Sequence, residues 1–312
     1  MKDIISPIPK DVLEKELTED KFMRTTNYGG NVIYKIDHHN SPNVMLEIGR
    51  LRELTFRAAG GGTGKDADID EYDTMENPYQ QLIVWDPDNK EILGGYRYIL
   101  CDNLSRNPDG SYKLATTGLL KLSEEFEKDF LPSTIELGRS FVQPAYQATS
   151  ASRRGMFALD NLWDGLGVLV ADYPDMKYFF GKVTMYLSYN KLGRDLILYF
   201  FKKHMGDKNN LIVPIKPLPF HHDEKELEAI LHSKSFQEDF KILSQKVRSL
   251  GENIPPLINT YINTSPTMVT FGTSLNDHFG DVEETGILIT ISDIYPQKKD
   301  RHIKTYLEQK KK

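Results

Sequence analysis

Two short words of charged residues stand out in this chain. Asp70-Glu71-Tyr72-Asp73 follows a glycine-rich run, and Glu136-Leu137-Gly138-Arg139-Ser140-Phe141-Val142 reads as a strand. A carboxylate and a guanidinium set close together in an apolar strand are costly to bury unless they pair or serve a site. On one strand alone, a structural Glu136–Arg139 ion pair is the simpler reading. Arg52 lies on an upstream helical stretch, and Arg97 ends the segment Gly94-Gly95-Tyr96-Arg97 of the preceding strand. Arginine holds a carboxylate or phosphate in a two-pronged fork, and a glutamate takes a proton from an amine directly or through water. Joined with the acidic word, these residues describe a polar site in an apolar sheet.

Other constellations compete for attention. Gly60-Gly61-Gly62-Thr63-Gly64-Lys65 superficially suits a phosphate loop. It fails the pattern: the first glycine position is Ala59, Asp66 stands where a hydroxyl should bind magnesium, and the run follows a helix instead of a strand. A mobile loop over a substrate site, or a plain flexible connection, fits it better. Asp66, Asp68, Asp70, Glu71 and Asp73 miss the spacing of a calcium loop. A solvated acidic loop and an acidic pocket that attracts an amine both remain open. His38-His39 has no further ligands at metal-site spacing, so no metal is expected. Thr149-Ser150-Ala151-Ser152-Arg153-Arg154-Gly155 precedes a helix, and hydroxyls, free N–H groups and two arginines at a helix start make a phosphate cradle.

The elements that must position these groups follow from periodicity. Met45, Ile48, Leu51 and Leu54 have helical spacing within 44–58. Strands at 81–85 and 92–100 flank the turn Asp86-Pro87-Asp88-Asn89 and form a hairpin. A third strand covers 133–142, a helical stripe starts at Met156, a strand covers 178–184 and a helix 191–204. Residues 224–250 are helical with a break near Ser233, Gly251 suits the C-cap, Pro255-Pro256 starts a short helix, and strands at 267–272 and 286–292 close the chain. The order predicts an α/β fold with a mixed sheet and helices on both faces. Residues 1–45 look polar and irregular and are expected to wrap a core at 46–204, which 205–312 completes within one domain.

Composition bounds the partners. The 312 residues are 39% hydrophobic, as in an ordinary globular protein, and the net charge of −6 argues against nucleic acid as the main partner. The single cysteine, Cys101, excludes an internal disulfide and fits a reducing, cytoplasmic setting. No run approaches the roughly 18 apolar residues of a spanning helix. Residues 196–201, flanked by charges, read as a core-facing helix, with peripheral contact at the inner membrane a minority reading.

The series Arg52-x-x-x-Phe56, Asp70-Glu71-Tyr72-Asp73, Gly95-x-Arg97 and Glu136-x-x-Arg139-Ser140-Phe141-Val142 resembles the acyl-homoserine-lactone synthases of the GNAT superfamily. The resemblance is closer to a sister branch, the ornithine-lipid and glycine-lipid N-acyltransferases often labelled hemolysin-like. That branch has openings like Leu51-Arg52-Glu53-Leu54-Thr55-Phe56-Arg57 and late segments like Ile254-Pro255-Pro256-Leu257-Ile258-Asn259. It implies a GNAT-type, mostly antiparallel sheet with splayed central strands, and transfer of a 3-hydroxylated fatty acyl group from acyl carrier protein to a small amino acid, glycine or ornithine. No permanently bound cofactor is implied; the donor is the acyl-phosphopantetheine of acyl carrier protein, or acyl-CoA. Glu136, Arg139 and Asp73 then fall to catalysis. Arg52, Phe56, Asp70, Arg97, Phe141 and Val142 fall to substrate binding, and Ser152, Arg153, Arg154 and Gly155 to the donor's phosphate. Around Gly155 the usual superfamily phosphate loop is not kept, with Ser152 three residues earlier and Phe157 two later, which favours a carrier-protein donor. Two rivals are a lactone synthase using S-adenosylmethionine and a non-enzymatic interaction protein on the same scaffold.

Overall fold

The computed structural model describes residues 1–147 and 157–311. Ten strands occur among them: β1 Phe22–Thr25, β2 Val32–Ile36, β3 Gln80–Asp86, β4 Glu91–Leu100, β5 Leu120–Leu122, β6 Thr134–Val142, β7 Tyr178–Met185, β8 Ile212–Pro214, β9 Val269–Asn276 and β10 Val282–Thr290. The helices are α1 Lys10–Glu16, α2 Pro42–Ala58, α3 Glu71–Thr74, α4 Ala158–Asp172, α5 Lys191–Met205, α6 Glu224–Ile230, α7 Phe236–Ser249, α8 Pro256–Ile262, α9 Pro296–Lys299 and α10 Thr305–Gln309. They fall into two compact units, one of residues 1–104, 135–177 and 295–312, the other of 105–134 and 178–294.

In the first unit β1, β2, β3, β4 and β6 pair in that order, each antiparallel to the next. Leu82 and Tyr96 are cross-strand partners on one face, which α4 covers. The fit is close, because a Cβ on Gly165 of α4 would stand 2.6 Å from the Tyr96 hydroxyl. Gln81 and Arg97 are partners on the other face, reached from α2 by Arg52. The sheet therefore has helices on both faces, as the pattern predicts. Residues 22–36 differ from expectation: they supply β1 and β2 in place of an irregular wrap. Within β1 and β2 the buried residues are Arg24, Ile33 and Ile36, without a clean alternation, so the pair mimics a loop in composition. Arg24 also donates to the His302 carbonyl at 2.9 Å, and His302 Nδ1 lies 2.8 Å from Asp164 Oδ1, which fastens the C-terminal turn to α4.

Helix α2 starts with Pro42 at its first position, where the missing N–H is no loss. It ends where Gly60 turns left-handed at φ +95° and the Gly61 N–H returns to the Phe56 carbonyl at 2.9 Å. The loop beyond is held by hydrogen bonds to α2 and to the N-terminal segment. The buried Glu53 carboxylate accepts from Thr63 N (3.0 Å), Thr63 Oγ1 (2.7 Å), Gly64 N (2.8 Å) and Arg57 Nε (2.6 Å). Lys2 N–H also donates to the Gly64 carbonyl at 2.9 Å.

In the second unit β7, β10 and β9 pair antiparallel in that order, and β5 and β8 form a separate two-stranded ribbon. Phe126, Phe180 and Phe271 form its aromatic core, with ring centroids 5.6 to 6.4 Å apart. The break near Ser233 separates α6 from α7, and Gly251, at φ +80°, follows α7 as expected. The closing strands extend further toward each other than their apolar residues suggest. Gly280 and Asp281, both left-handed, make the turn between them tight.

Candidate functional site

The site is organised by an irregularity in β6. Gly95 pairs with Phe141 and Arg97 with Gly138, so β6 spends one residue more than β4 over this stretch. The extra residue is a bulge, and Arg139 within it holds φ +51°, a conformation that costs a non-glycine residue roughly 1–2 kcal/mol. Across the ladder, Gly94 and Gly95 keep the strands close. A Cβ on Gly94 would overlap the Phe141 carbonyl, and one on Gly95 would lie 2.6 Å from the Leu82 carbonyl oxygen. Bulges re-aim side chains. This one turns Arg139 toward the 68–70 loop, where its Nε donates to Asp68 Oδ2 at 2.8 Å and Nη2 lies 3.7 Å from Asp70 Oδ2.

Arg97 meets Asp70 through a fork, Nη1 to Oδ1 at 2.6 Å and Nη2 to Oδ2 at 2.9 Å, and its Nη1 is also 3.1 Å from Asp73 Oδ2. Arg52 Nη1 reaches both Asp73 oxygens, at 3.2 and 3.1 Å, and its Nη2 donates to Gln81 Oε1 at 2.5 Å. Gln81 Nε2 closes the ring on Asp73 at 3.1 Å. The acidic word thus folds as a capped turn: Asp70 accepts from the Tyr72 and Asp73 amides, while Asp73 accepts from the Asp70 amide, a reciprocal capping box. The solvated-loop reading gives way to a buried lattice of three acids and three arginines. Arg52 and Asp73 are fully buried and Arg97 nearly so; side-chain exposure is 16% for Arg139 and 22% for Asp70, which form the accessible edge.

Charge decides the protonation of this lattice. Burial would raise the Asp73 carboxyl, but the guanidiniums of Arg52 and Arg97 outweigh it and hold Asp73 well below the usual carboxylate range. Burial would likewise lower Arg97, and Asp73 and Asp70 push it well above its ordinary value. Both rings beside Arg97, Tyr79 and Tyr72, lie at cation–π distance, 5.0 and 5.6 Å.

Glu136 is 1% exposed and shares the Arg97 face of the sheet, opposite Ile99 of β4. Its Oε1 accepts from the Tyr79 hydroxyl at 2.9 Å. The thiol of Cys101 is pushed up by burial and then by the Glu136 charge. Phe141, buried, and Val142, half-buried, follow the bulge opposite Gly95 and Gly94. Phe56 lies buried on α2, one turn beyond Arg52. The structure therefore gathers Arg52, Asp70, Asp73, Arg97 and Arg139 in one lattice and seats Glu136 on the same sheet face. Ser152, Arg153, Arg154 and Gly155 lie outside the described residues. Asp68, named in the sequence with the acidic cluster, lies in the lattice, and Tyr79 and Gln81 join the site without having been singled out for it. A buried Gln81 in the apolar run 82–85, two residues from Tyr79, was the readable signal. Among the described residues, no group of three or more His, Cys, Asp or Glu side chains is arranged to hold a metal ion.

Comparisons with known proteins give the family. A family described as Acetyltransferase (GNAT) domain matches residues 51–155. A Glycine N(alpha)-acyltransferase of Phocaeicola vulgatus is 58% identical over 309 residues, 99% of this chain and 95% of that protein. A Glycine N(alpha)-acyltransferase of Bacteroides thetaiotaomicron is 56% identical over 308 residues, 99% of this chain and 91% of that protein. A solved CoA-dependent acyl-homoserine lactone synthase with MTA covers 90% of this chain and 89% of its own at 11% identity and TM-score 0.38, too distant to bear on chemistry.

Proposed function

Since the chain belongs to the glycine N(alpha)-acyltransferase family and is an acyltransferase, we propose that it moves an acyl group from a thioester to the amine of glycine. The observation that carries the reading is Glu136. It is a carboxylate buried beside a charge lattice, oriented by Tyr79, on the strand whose bulge redirects Arg139. The donor is a 3-hydroxylated fatty acyl group on the phosphopantetheine of acyl carrier protein, and the product is an N-acylglycine, a precursor in aminolipid synthesis. The unusual residues around Gly155 support the carrier protein over coenzyme A.

The acceptor amine, which titrates near 8 or above, arrives mostly protonated at neutral pH. Glu136 takes that proton, directly or through water. The nitrogen lone pair then attacks the thioester carbonyl carbon. The C–N bond forms, the C–S bond breaks, and the thiolate leaves, protonated by the acid formed; the attacking nitrogen gives its surplus proton to water, leaving a neutral amide and an ionised Glu136. The backbone N–H of Val142 on β6 stabilises the oxyanion; those of Phe141 and Gln143 face β4, and that of Gln143 is given to the Leu93 carbonyl at 2.9 Å. Arg139, at the accessible edge, takes the acceptor's carboxylate. Asp70, Asp73, Arg52 and Arg97 act by holding that edge in place.

The test is turnover of a 3-hydroxyacyl carrier protein and glycine, with N-acylglycine followed by mass spectrometry. Glu136→Gln is expected to lower turnover by about 10²–10⁴-fold with an unchanged circular-dichroism spectrum. Normal turnover by that variant overturns the base assignment, and absence of N-acylglycine with the unaltered enzyme overturns the reaction.

A further inference from the structure

Asp68 stands beside the site with half of its carboxylate unused. The side chain is fully buried. Its Oδ2 accepts from Arg139 Nε at 2.8 Å, whereas its Oδ1 has no hydrogen-bond donor. A buried acceptor left without a donor costs about 1–3 kcal/mol, and more when it is charged, so folded proteins keep few of them. The loop is not loosely placed. The Asp68 N–H donates to the Gly49 carbonyl of α2 at 2.9 Å, and Gly49 has no Cβ because Ile69 Cγ1 would lie 2.6 Å from it. The sequence thus fixes this carboxylate firmly and leaves one oxygen open.

Charge gives the ligand's sign. Asp68, Asp70, Asp73 and Glu136 set four carboxylates against the three guanidiniums of Arg52, Arg97 and Arg139, leaving one negative charge. The array also leaves Arg52 Nε and Arg97 Nε without partners, but these are donors and repel a cation. Among the described residues of the array, Asp68 Oδ1 is the unpartnered acceptor. Its geometry matches one class of ligand. Asp68 and Arg139 lie 2.8 Å apart, an anion beside a cation, and a zwitterionic α-amino acid carries its ammonium and carboxylate on adjacent carbons.

We propose that Asp68 Oδ1 is the docking point for the acceptor's ammonium group, paired with Arg139 for its carboxylate. The role is binding and specificity: Asp68 holds the protonated amine and itself moves no proton. This rests on the reading that glycine is the acceptor.

The experiment compares glycine with glycolate, which keeps the carboxylate, replaces the ammonium by a neutral hydroxyl, and is tested as a competitor of glycine. In Asp68→Asn the KM for glycine is expected to rise about 10- to 100-fold, the worth of a charged hydrogen bond. The KM for the acyl thioester and the inhibition constant of glycolate stay within about twofold. Equal weakening of glycine and glycolate overturns the proposal, because it shows Asp68 acting only through Arg139. An unchanged glycine KM overturns it as well and leaves the proposed reaction standing. Failure of the unaltered enzyme to acylate glycine removes both. If Asp68→Asn does not fold, Asp68→Glu carries the same criterion: a rise in glycine KM that glycolate does not follow.

Discussion

Arg97 and Asp70 face each other through two parallel contacts of 2.6 and 2.9 Å, and the same Asp70 side chain caps the turn that delivers Asp73 to Arg97. Strand and loop are therefore locked by one planar fork. A lysine keeps the charge but presents a single point donor on a flexible stem. Arg97→Lys is expected to lower unfolding free energy by about 2–4 kcal/mol, since buried charges lose partners at Asp70 and Asp73 together. Urea unfolding followed by fluorescence measures this. A change below about 0.5 kcal/mol would assign the lattice to the surface class of ion pairs.

Strand β4 depends on two glycines to lie close to its neighbours, Gly94 against β6 and Gly95 against β3. Added carbon at Gly94 meets the Phe141 carbonyl, which belongs to backbone and cannot swing away. Gly94→Ala is expected to cost about 1–3 kcal/mol by overpacking. It should also depress turnover more than Gly95→Ala, because it displaces the very residue that follows the bulge. Steady-state kinetics beside thermal melts checks both. Equal kinetics for the two variants would detach the bulge from catalysis.

Much of this is legible in the sequence. The hairpin β3–β4, strand β6 and helices α2, α4 and α5 follow from apolar period and turn residues, because packing and pattern agree in them. The charged words were legible as a site because burying them needs a reason. Two things were hidden. Edge strand β1 and its neighbour β2 are four and five residues long with irregular burial, so period carries little signal. The partner choices were hidden too: Arg139 reaches Asp68 because β6 bulges, and a one-residue register change leaves no mark in composition. Tyr79 and Gln81 became site residues only once β3 was registered against Arg97.

Glu53 illustrates a structural charge beside a functional one. Its carboxylate collects four donors from Arg57, Thr63 and Gly64 and stays ionised: burial opposes the charge, but the hydroxyl, guanidinium and amide donors lower its pKa. Glu53→Gln turns one acceptor oxygen into a donor facing donors. Amides of 60–65 should then exchange hydrogen at least about tenfold faster, while those of β3 and β4 keep their protection. Uniform loss of protection would mean that this loop supports the whole unit.

Acid stability singles out Asp73. Its folded pKa is depressed by Arg52 and Arg97, so its contribution is fully present above the unfolded value of about 3.9 and is lost as pH falls toward the lower folded value. Asp73→Asn is expected to lose about 3–5 kcal/mol at pH 7, the cost of leaving buried guanidiniums without their anion. The gap between the two proteins should stay level from pH 7 to about 5 and narrow below about 4, where the native protein's own Asp73 begins to protonate on unfolding. Denaturant titrations at several pH values give the curve. A gap that stays level down to about pH 2 would mean that Asp73 is not held low by its arginines, because the gap narrows only where the unfolded chain takes up the proton before the folded one does.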